Sequence, residues 1–212
     1  MSETNKRIVG IDLGTTYSVL SYFPPNGTKP EIIKNQEGED TTPSVMAVNK
    51  NGEILVGSPG KNLLGGKYSD SVVQFIKRRM GEEDYKVKVK DQVLSPSEVS
   101  SFTLKKLKDA AAIHFQEELN DAVVTVPAHF TIKQKEATKL AAELAGLNVI
   151  RMINEPTAAA ISYGLGLQER GEEQYENEYF LVYDLGGGTM DISIMELAPK
   201  NEGGLPVFNV IS

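Results

Sequence analysis

Short apolar runs bounded by turn residues predict β-strands over the first part of the chain. The predicted strands span residues 7–13, 16–23, 31–35, 44–49 and 53–57, and the last two form a hairpin. Residues 85–90 alternate lysine with tyrosine or valine, which predicts an exposed strand. These segments in the first part of the chain should therefore form antiparallel β-structure.

Helical spacing first appears at residues 71–80, where Val72, Phe75, Ile76 and Met80 recur every three or four positions. Two capping boxes then predict helix starts, S-P-S-E at residues 95–98 and T-I-K-Q at residues 131–134. The first should open a helix that runs to about Leu119. Its expected buried positions are Val99, Phe102, Leu107 and Ile113.

Strands and helices alternate in the second half of the chain. Apolar runs predict strands at residues 121–126 and 148–153, and Gly146 ends the helix between them. Pro156 opens an alanine-rich helix that ends near Gly164, and another apolar strand covers residues 207–211. Strand, helix, strand predicts a right-handed crossover, so part of the sheet should be parallel and the fold class is α/β.

Two strand–turn–strand units of the same design lie near the two ends of the chain. Asp12-Leu13-Gly14-Thr15-Thr16 follows one apolar run, and D-L-G-G-G-T at residues 184–189 follows the other. Glycine turns let backbone N–H groups converge on an anion, and threonine hydroxyls add donors. An aspartate at a strand end can hold Mg²⁺ through water. A single such turn is more often an ordinary hairpin, but the pair favours a duplicated phosphate clamp.

Two further residues have both a chemical and an ordinary interpretation. Glu155 follows a strand and could orient a water, or it could simply favour the helix dipole. Lys77 could reach a phosphate, although a solvated lysine is the more common case for such a position. His114 and His129 lack metal-ligand spacing and are interpreted as structural. Neither a Walker loop nor a kinase motif set is present in the sequence.

Composition narrows the class of protein. The 212 residues carry a net charge of −7, with 40% hydrophobic and 24% charged residues and no cysteine. A nucleic-acid-binding role is disfavoured because it would require a basic face. The polar start of the chain and the absence of a long apolar run predict neither a signal peptide nor a membrane span. A cytoplasmic location is the expectation.

Six segments together carry a resemblance that covers nearly the whole chain. They are residues 11–18 (IDLGTTYS), 41–44 (TTPS), 122–128 (AVVTVPA), 145–151 (AGLNVIR), 153–160 (INEPTAAA) and 184–191 (DLGGGTMD). In this order they closely resemble the nucleotide-binding domain of the 70-kDa heat-shock chaperones of the DnaK type. The resemblance implies an actin-like, ribonuclease-H-like α/β fold.

The resemblance also implies a domain plan. Residues 1–172 correspond to the first lobe, with a small outer subdomain inserted at about residues 43–95, and residues 173–212 to the opening hairpin of the second lobe. The segment from Gly81 to Ser95 is shorter than its usual equivalent, so the outer subdomain is expected to be trimmed or rearranged. The family's domain continues beyond Ser212, so we expect the chain to be a truncated part of it.

Site roles follow from the matched motifs. Asp12 and Asp184 correspond to carboxylates that hold Mg²⁺ through water, and Lys77 and Glu155 to the pair beside the γ-phosphate and the attacking water. The resemblance implies a catalytic set of Asp12, Lys77, Glu155, Asp184 and Thr189. The phosphate loops correspond to Gly14, Thr15, Thr16 and Tyr17, and to Gly186, Gly187, Gly188 and Thr189. Asp191 matches a further acidic residue, and Pro127 and Arg151 match positions that relay nucleotide state between domains.

The implied activity is ATP hydrolysis to ADP and phosphate, with Mg²⁺, that controls binding of unfolded peptides in protein folding. The implied partners are nucleotide, unfolded peptides, J-domain co-chaperones and nucleotide-exchange factors, without nucleic acid or membrane. For these 212 residues alone we expect weak nucleotide binding and little turnover. The alternatives are a docking lobe without turnover and a sugar-kinase relative, against which INEPTAAA and TVPA argue.

Overall fold

A computed structural model describes residues 7–25, 27, 29–169, 178–188, 190–198 and 207–211. The strands are β1 Ile8–Asp12, β2 Tyr17–Tyr22, β3 Glu31–Ile32, β4 Thr42–Pro43, β5 Met46–Val48, β6 Ile54–Val56, β7 Val72–Val73, β8 Val87–Val89, β9 Gln92–Leu94, β10 Asp121–Val126, β11 Asn148–Asn154, β12 Glu178–Leu185, β13 Met190–Ala198 and β14 Val207–Val210. The α-helices are α1 Ser58–Lys61, α2 Pro96–Phe115, α3 Ile132–Leu144 and α4 Glu155–Glu169, and two 3₁₀ helices span Ser69–Ser71 and Ile76–Arg79.

The largest sheet combines parallel and antiparallel pairing, in the order β11-β10-β1-β2-β3 with β4 also paired to β2. Strands β1, β10 and β11 are parallel, whereas β2 runs antiparallel to β1 and β3. The crossover from β10 to β11 passes through α3, as the alternation of strands and helices predicted. The protein is therefore of the mixed α/β class.

The main core lies between this sheet and helices α2 and α3. Side-chain burial alternates along strand β10, with Ala122, Val124 and Val126 buried. Leu104 and Leu107 of α2 belong to the same apolar cluster. The prediction for Ile113 was wrong: its side chain is 66% exposed, because it lies on the side of α2 opposite Ala111, which faces the core.

Both predicted capping boxes are present. The Ser95 hydroxyl accepts a hydrogen bond from the backbone N–H of Glu98, whose carboxylate accepts one from the backbone N–H of Ser95. Thr131 and Gln134 form the equivalent pair at the start of α3. Helix α2 ends at Phe115, before the predicted Leu119, because Gln116 adopts a left-handed conformation with φ of 55°. Helix α4 continues past the predicted end at Gly164 to Glu169.

The predicted helix over residues 71–80 does not form. Val72 and Val73 instead make a short strand that pairs with β5, and Phe75 has a φ of 56°, which a continuous helix excludes. The 3₁₀ helix Ile76–Arg79 follows directly. A ten-residue segment with this apolar spacing is compatible both with the end of a strand and with a helix. The long-range pairing with β5 selects the strand.

Two small antiparallel units lie next to the main sheet. One has the order β6-β5-β7, and the other is the hairpin β8–β9. They share an apolar cluster with α2 that includes Met46, Val73, Val89 and Val99. Strand β8 is therefore not fully exposed as predicted, since Val89 is only 2% accessible. Its one lysine, Lys88, does remain exposed.

A separate sheet has the antiparallel order β12-β13-β14, which fits the predicted hairpin and final strand. Helix α4 packs against it, and the rings of Tyr163 and Phe180 meet edge to face at 5.2 Å. The opposite side, the apolar face, carries exposed side chains on paired positions of both long strands: Leu181, Tyr183, Leu185, Met190, Ile192 and Ile194. Within the described residues, no helix is both long and apolar enough to cross a membrane.

Candidate functional site

Three polar residues lie together at the carboxyl ends of the parallel strands. Asp12 ends β1 and is aligned with Thr125 of β10, which is in turn aligned with Ile153 of β11. The Thr125 hydroxyl donates to Asp12 Oδ1 over 2.8 Å. Glu155 follows β11 and is the first residue of α4. The strand register therefore brings Asp12, Thr125 and Glu155 to one edge of the sheet, where α/β proteins bind ligands.

A lysine from a distant segment of the chain completes this edge. Lys77 Nζ donates to Glu155 Oε1 over 2.7 Å, and the two side chains are only 9% and 16% exposed. Lys77 lies in the 3₁₀ helix that the left-handed Phe75 begins. Its ammonium also lies 5.8 Å from the ring centroid of Phe130. The structure thus brings together Lys77 and Glu155, for which the sequence pattern left two interpretations and which the resemblance implied to be neighbours.

Glu155 has an altered acidity. Burial raises the pKa of its carboxyl above the ordinary value, since water no longer solvates the charge. The ammonium of Lys77 opposes this change, and the nearby carboxylates of Asp12 and Asp184 add to the rise in pKa. Negative charge is therefore concentrated around a single buried cation, which is an arrangement typical of functional sites.

The two glycine turns approach each other closely. A methyl group added at Gly187 would lie 1.8 Å from Thr16 Oγ1, and one at Gly188 would lie 2.6 Å from Thr15 Cγ2. At Gly14 it would lie 1.9 Å from the carbonyl oxygen of Tyr17. Only glycine allows this backbone contact. The pair of turns that the sequence predicted to act together does lie face to face.

Ser44 and Lys61 support the first turn. The Ser44 hydroxyl donates to the carbonyl of Gly14 over 2.7 Å and lies 2.9 Å from the Ser18 hydroxyl. Lys61 donates to the Tyr17 hydroxyl over 2.6 Å. Ser44 belongs to the TTPS segment, whose role the sequence alone did not give. These hydrogen bonds come from two other segments of the chain and stabilise the conformation of the turn.

A cleft of about 740 Å³ lies between the turns and the sheet edge. Ten of the predicted site residues line it: Asp12, Gly14, Thr15, Thr16, Tyr17, Lys77, Glu155, Asp184, Gly186 and Gly187. Thr16 Oγ1 is the one buried side-chain polar atom among the described residues that has no hydrogen-bond partner. A buried hydroxyl without a partner is costly, and this one lies against Gly187, where the two turns meet.

Two contacts that the sequence did not predict join the second turn, and strand β13 that follows it, to the rest of the site. Arg78 Nη2 donates to the carbonyl of Gly187 over 2.7 Å, and His129 Nδ1 lies 2.9 Å from Asp191 Oδ1. The interpretation of His129 as merely structural is therefore incomplete, since it contacts a predicted site residue. Its partner is distant in sequence, so no spacing rule could have indicated the contact.

The remaining predicted residues lie elsewhere. Pro127 and Gly188 line a second cavity beside the cleft. Arg151 is exposed on β11, aligned with Val123, and is not among the described residues that line either cavity. Thr189 lies outside the described residues, as does the predicted boundary between residues 172 and 173.

The comparison with protein families is consistent with this geometry. The model of the Hsp70 protein family matches residues 8–87 and 82–210, which together cover almost the whole chain. The chain belongs to the Hsp70 family. The two Hsp70 matches overlap at residues 82–87, within the segment from Gly81 to Ser95.

Hsp70 relatives among curated proteins carry the name Chaperone protein DnaK. Those of Thermosipho melanesiensis and Thermotoga maritima are 51% and 50% identical over 197 residues, which is 93% of this chain and 32% of theirs. The relative from Thermosipho africanus is 49% identical over 93% of this chain. The chain thus spans about one third of the length of the DnaK relatives that it matches. Hsp70 membership implies the actin-like ATPase fold.

Proposed function

We propose that the chain forms the phosphate-gripping part of an Hsp70-type ATPase, which binds ATP with Mg²⁺ and hydrolyses it to ADP and phosphate. The observation that carries the proposal is the buried Lys77–Glu155 pair in a cleft bounded by two opposed Asp-Gly turns. In the proposed domain plan, residues 1–172 form the first lobe, with the outer subdomain at about residues 43–95. Residues 173–212 begin the second lobe.

Several features fit a nucleotide phosphate chain. Gly14, Gly186 and Gly187 line the cleft, where glycine lets backbone N–H groups approach an anion, and the Thr16 hydroxyl lacks a protein partner. Gly188 and Thr189 belong to the same proposed loop. Asp12 and Asp184 would hold Mg²⁺ through its waters, and the metal would neutralise phosphate charge. Within the described structure, no group of three or more His, Cys, Asp or Glu side chains could hold a metal ion directly.

Lys77 and Glu155 have separate proposed roles in hydrolysis. A water attacks the γ-phosphorus, an oxygen–phosphorus bond forms, and the bond to the β-phosphate oxygen breaks. Lys77 stabilises the charge on the transferred group, and Glu155 accepts a hydrogen bond from the attacking water. The raised pKa of the Glu155 carboxyl favours this role, because a carboxylate with a higher pKa is a stronger proton acceptor.

The family supports a wider proposal for the whole protein. Relatives named Chaperone protein DnaK are about three times as long as this chain, so peptide binding, J-domain co-chaperones and nucleotide-exchange factors are proposed for the longer protein. Pro127 and Arg151 are the proposed relay between nucleotide and peptide sites. For the 212 residues alone, we propose weak nucleotide binding and slow turnover.

The test is isothermal titration of the folded chain with Mg²⁺-ATP, followed by single-turnover hydrolysis on the same sample. Lys77→Ala should lower the hydrolysis rate by about 10² or more, and Asp12→Asn should weaken binding in the presence of Mg²⁺. Lys88→Ala, at an exposed lysine of β8, is the matched control and should leave both unchanged. Absence of binding in a folded sample would overturn the proposal and favour a docking lobe without turnover.

A further inference from the structure

Met190 differs from the other methionines of the described structure in its exposure. The sequence has six methionines and no cysteine, so methionine thioethers hold all the sulfur of the chain. Met46, Met80 and Met195 are buried, with at most 1% of each residue accessible. Met152 is half-buried, whereas Met190 is 57% exposed. Among the methionines that the structure describes, oxidants in the solvent therefore reach Met190 most readily.

Met190 lies at the base of the second turn. It is the first residue of β13 and is paired with Leu185, the last residue of β12. Tyr183 stands two positions before Leu185, diagonally across from Met190, and diagonal neighbours on one sheet face are within reach of long side chains. Tyr183 also lines the cleft. The position thus brings an accessible sulfur next to a residue of the candidate site.

A hydrogen bond already connects the two side chains. The Tyr183 hydroxyl donates to Met190 Sδ over 3.4 Å. A thioether sulfur is a weak acceptor, so the contact contributes little while Met190 is reduced. A sulfoxide oxygen is bonded to the same sulfur and is polar, so it offers the same hydroxyl a stronger acceptor. Tyr183 is 55% exposed, which lets its hydroxyl follow the new oxygen without disturbing the packed core.

We propose that Met190 is a reversible oxidation site, at which hydrogen peroxide forms a methionine sulfoxide that the Tyr183 hydroxyl then holds. A sulfur lone pair attacks one peroxide oxygen, the sulfur–oxygen bond forms and the oxygen–oxygen bond breaks. The departing oxygen takes the proton of the oxygen that was attacked and leaves as water. Methionine loses two electrons in this step and peroxide gains them.

Reversal needs a reductant from outside the chain. The sulfoxide oxygen leaves as water when a thiol reductant supplies two electrons, together with two protons, and this chain has no cysteine of its own. In the oxidised state a polar group stands on the apolar face beside Leu185 and Tyr183. The inference does not depend on the proposed function, since neither the oxidation nor the tyrosine contact requires a nucleotide.

The first test exposes the folded chain to dilute hydrogen peroxide and follows each methionine by peptide mapping with tandem mass spectrometry. The mapping reports Met1, which lies outside the described residues, separately. Met190 should be oxidised at least about tenfold faster than the three buried methionines, and unfolding in urea should remove the difference. Equal rates in the folded chain, or oxidation of Met152 before Met190, would overturn the inference.

The second test follows the Tyr183 ring by NMR after ¹³C labelling of tyrosine, with Tyr183→Phe to identify its signal. Oxidation should shift this signal, and methionine sulfoxide reductases with dithiothreitol should restore it. Met190→Leu keeps an apolar side chain of similar volume and should show no shift with peroxide. In Met190→Gln the carbonyl carbon replaces Sδ, so its oxygen should shift the signal without peroxide. An unchanged Tyr183 signal when Met190 is fully oxidised, or an equal peroxide shift in Met190→Leu, would overturn the inference.

Discussion

Lys77 Nζ lies 2.7 Å from Glu155 Oε1, although the two residues are 78 positions apart in the sequence. The contact joins a 3₁₀ helix of the β7 region to the first turn of α4. Both side chains are largely buried, so each charge depends on the other for compensation. Stability and the proposed chemistry are therefore linked through a single ion pair.

Lys77→Met should lower the free energy of unfolding by about 3 kcal/mol, because it leaves the buried Glu155 carboxylate without a cation. Urea unfolding measured by circular dichroism would give the change. The double variant Lys77→Met/Glu155→Gln removes both charges and should recover at least half of the loss. A double variant no more stable than Lys77→Met would contradict the ion-pair interpretation.

The raised pKa of Glu155 predicts a specific pH dependence. A carboxyl with a raised pKa in the folded state binds its proton first in the folded protein, so its stabilising contribution is complete below the unfolded pKa. That contribution is lost as the pH rises through the folded pKa. The difference in unfolding free energy between wild type and Glu155→Gln should therefore fall with rising pH over this window. Urea midpoints measured in steps from acid to neutral pH would give the slope.

Glu98 provides a control of opposite sign. The hydrogen bond from the Ser95 side chain, followed by that from the Ser95 backbone, lowers the pKa of the Glu98 carboxyl. Its contribution is present above the unfolded pKa and is lost as the pH falls through the lower folded pKa. Glu98→Gln and Glu155→Gln should thus give slopes of opposite sign. Equal slopes would show that the pH dependence has another origin.

Gly187→Ala should separate the two glycine turns, because its methyl carbon would lie 1.8 Å from Thr16 Oγ1. Overpacking of this kind costs about 1–3 kcal/mol of stability. It should also weaken binding of Mg²⁺-ATP at least tenfold, as measured by calorimetry. Gly66→Ala is the matched control, since the nearest atom to its methyl carbon would be 3.5 Å away. Equal binding by the two variants would show that close contact of the turns is dispensable.

The apolar face of the β12-β13-β14 sheet should make the 212-residue chain self-associate. Leu181 and Ile192 are 65% and 50% exposed there, and contiguous exposed apolar surface of this kind promotes association. The double variant Leu181→Lys/Ile192→Lys should shift sedimentation toward the monomer. Val93→Lys changes an equally exposed side chain on the β8–β9 hairpin and should not. A wild-type chain that stays monomeric at high concentration would contradict this prediction.

Local signals in the sequence predicted much of the fold. The capping boxes at Ser95 and Thr131 depend on residues three positions apart, and strand β10 has the predicted bounds. The prediction failed where distant pairing overrides local pattern, as at Val72 and Val73, which pair with β5. Periodicity could not reveal the left-handed Phe75 that ends any helix there.

The candidate site likewise contains residues that the sequence pattern predicted and residues that it did not. Asp12, Asp184 and the glycine turns were predicted because each stands in a recognisable strand–turn–strand pattern. Lys77 and Glu155 carry no such pattern of their own, and the resemblance to a family was needed to favour their chemical interpretation over the ordinary one. The contacts of His129 with Asp191 and of Arg78 with Gly187 depend on the packing of distant segments. Such contacts leave no local signal in the sequence.

The strand register that aligns Asp12, Thr125 and Ile153 means that the cleft depends on segments that are far apart in the sequence. Its lining residues come from β1, the 3₁₀ helix, β10, α4 and the second turn, so no partly folded chain can present them together. Any ligand that fills the cleft binds only the complete arrangement and stabilises it by mass action. In this protein, binding at the cleft is therefore also a measure of whether the chain has folded.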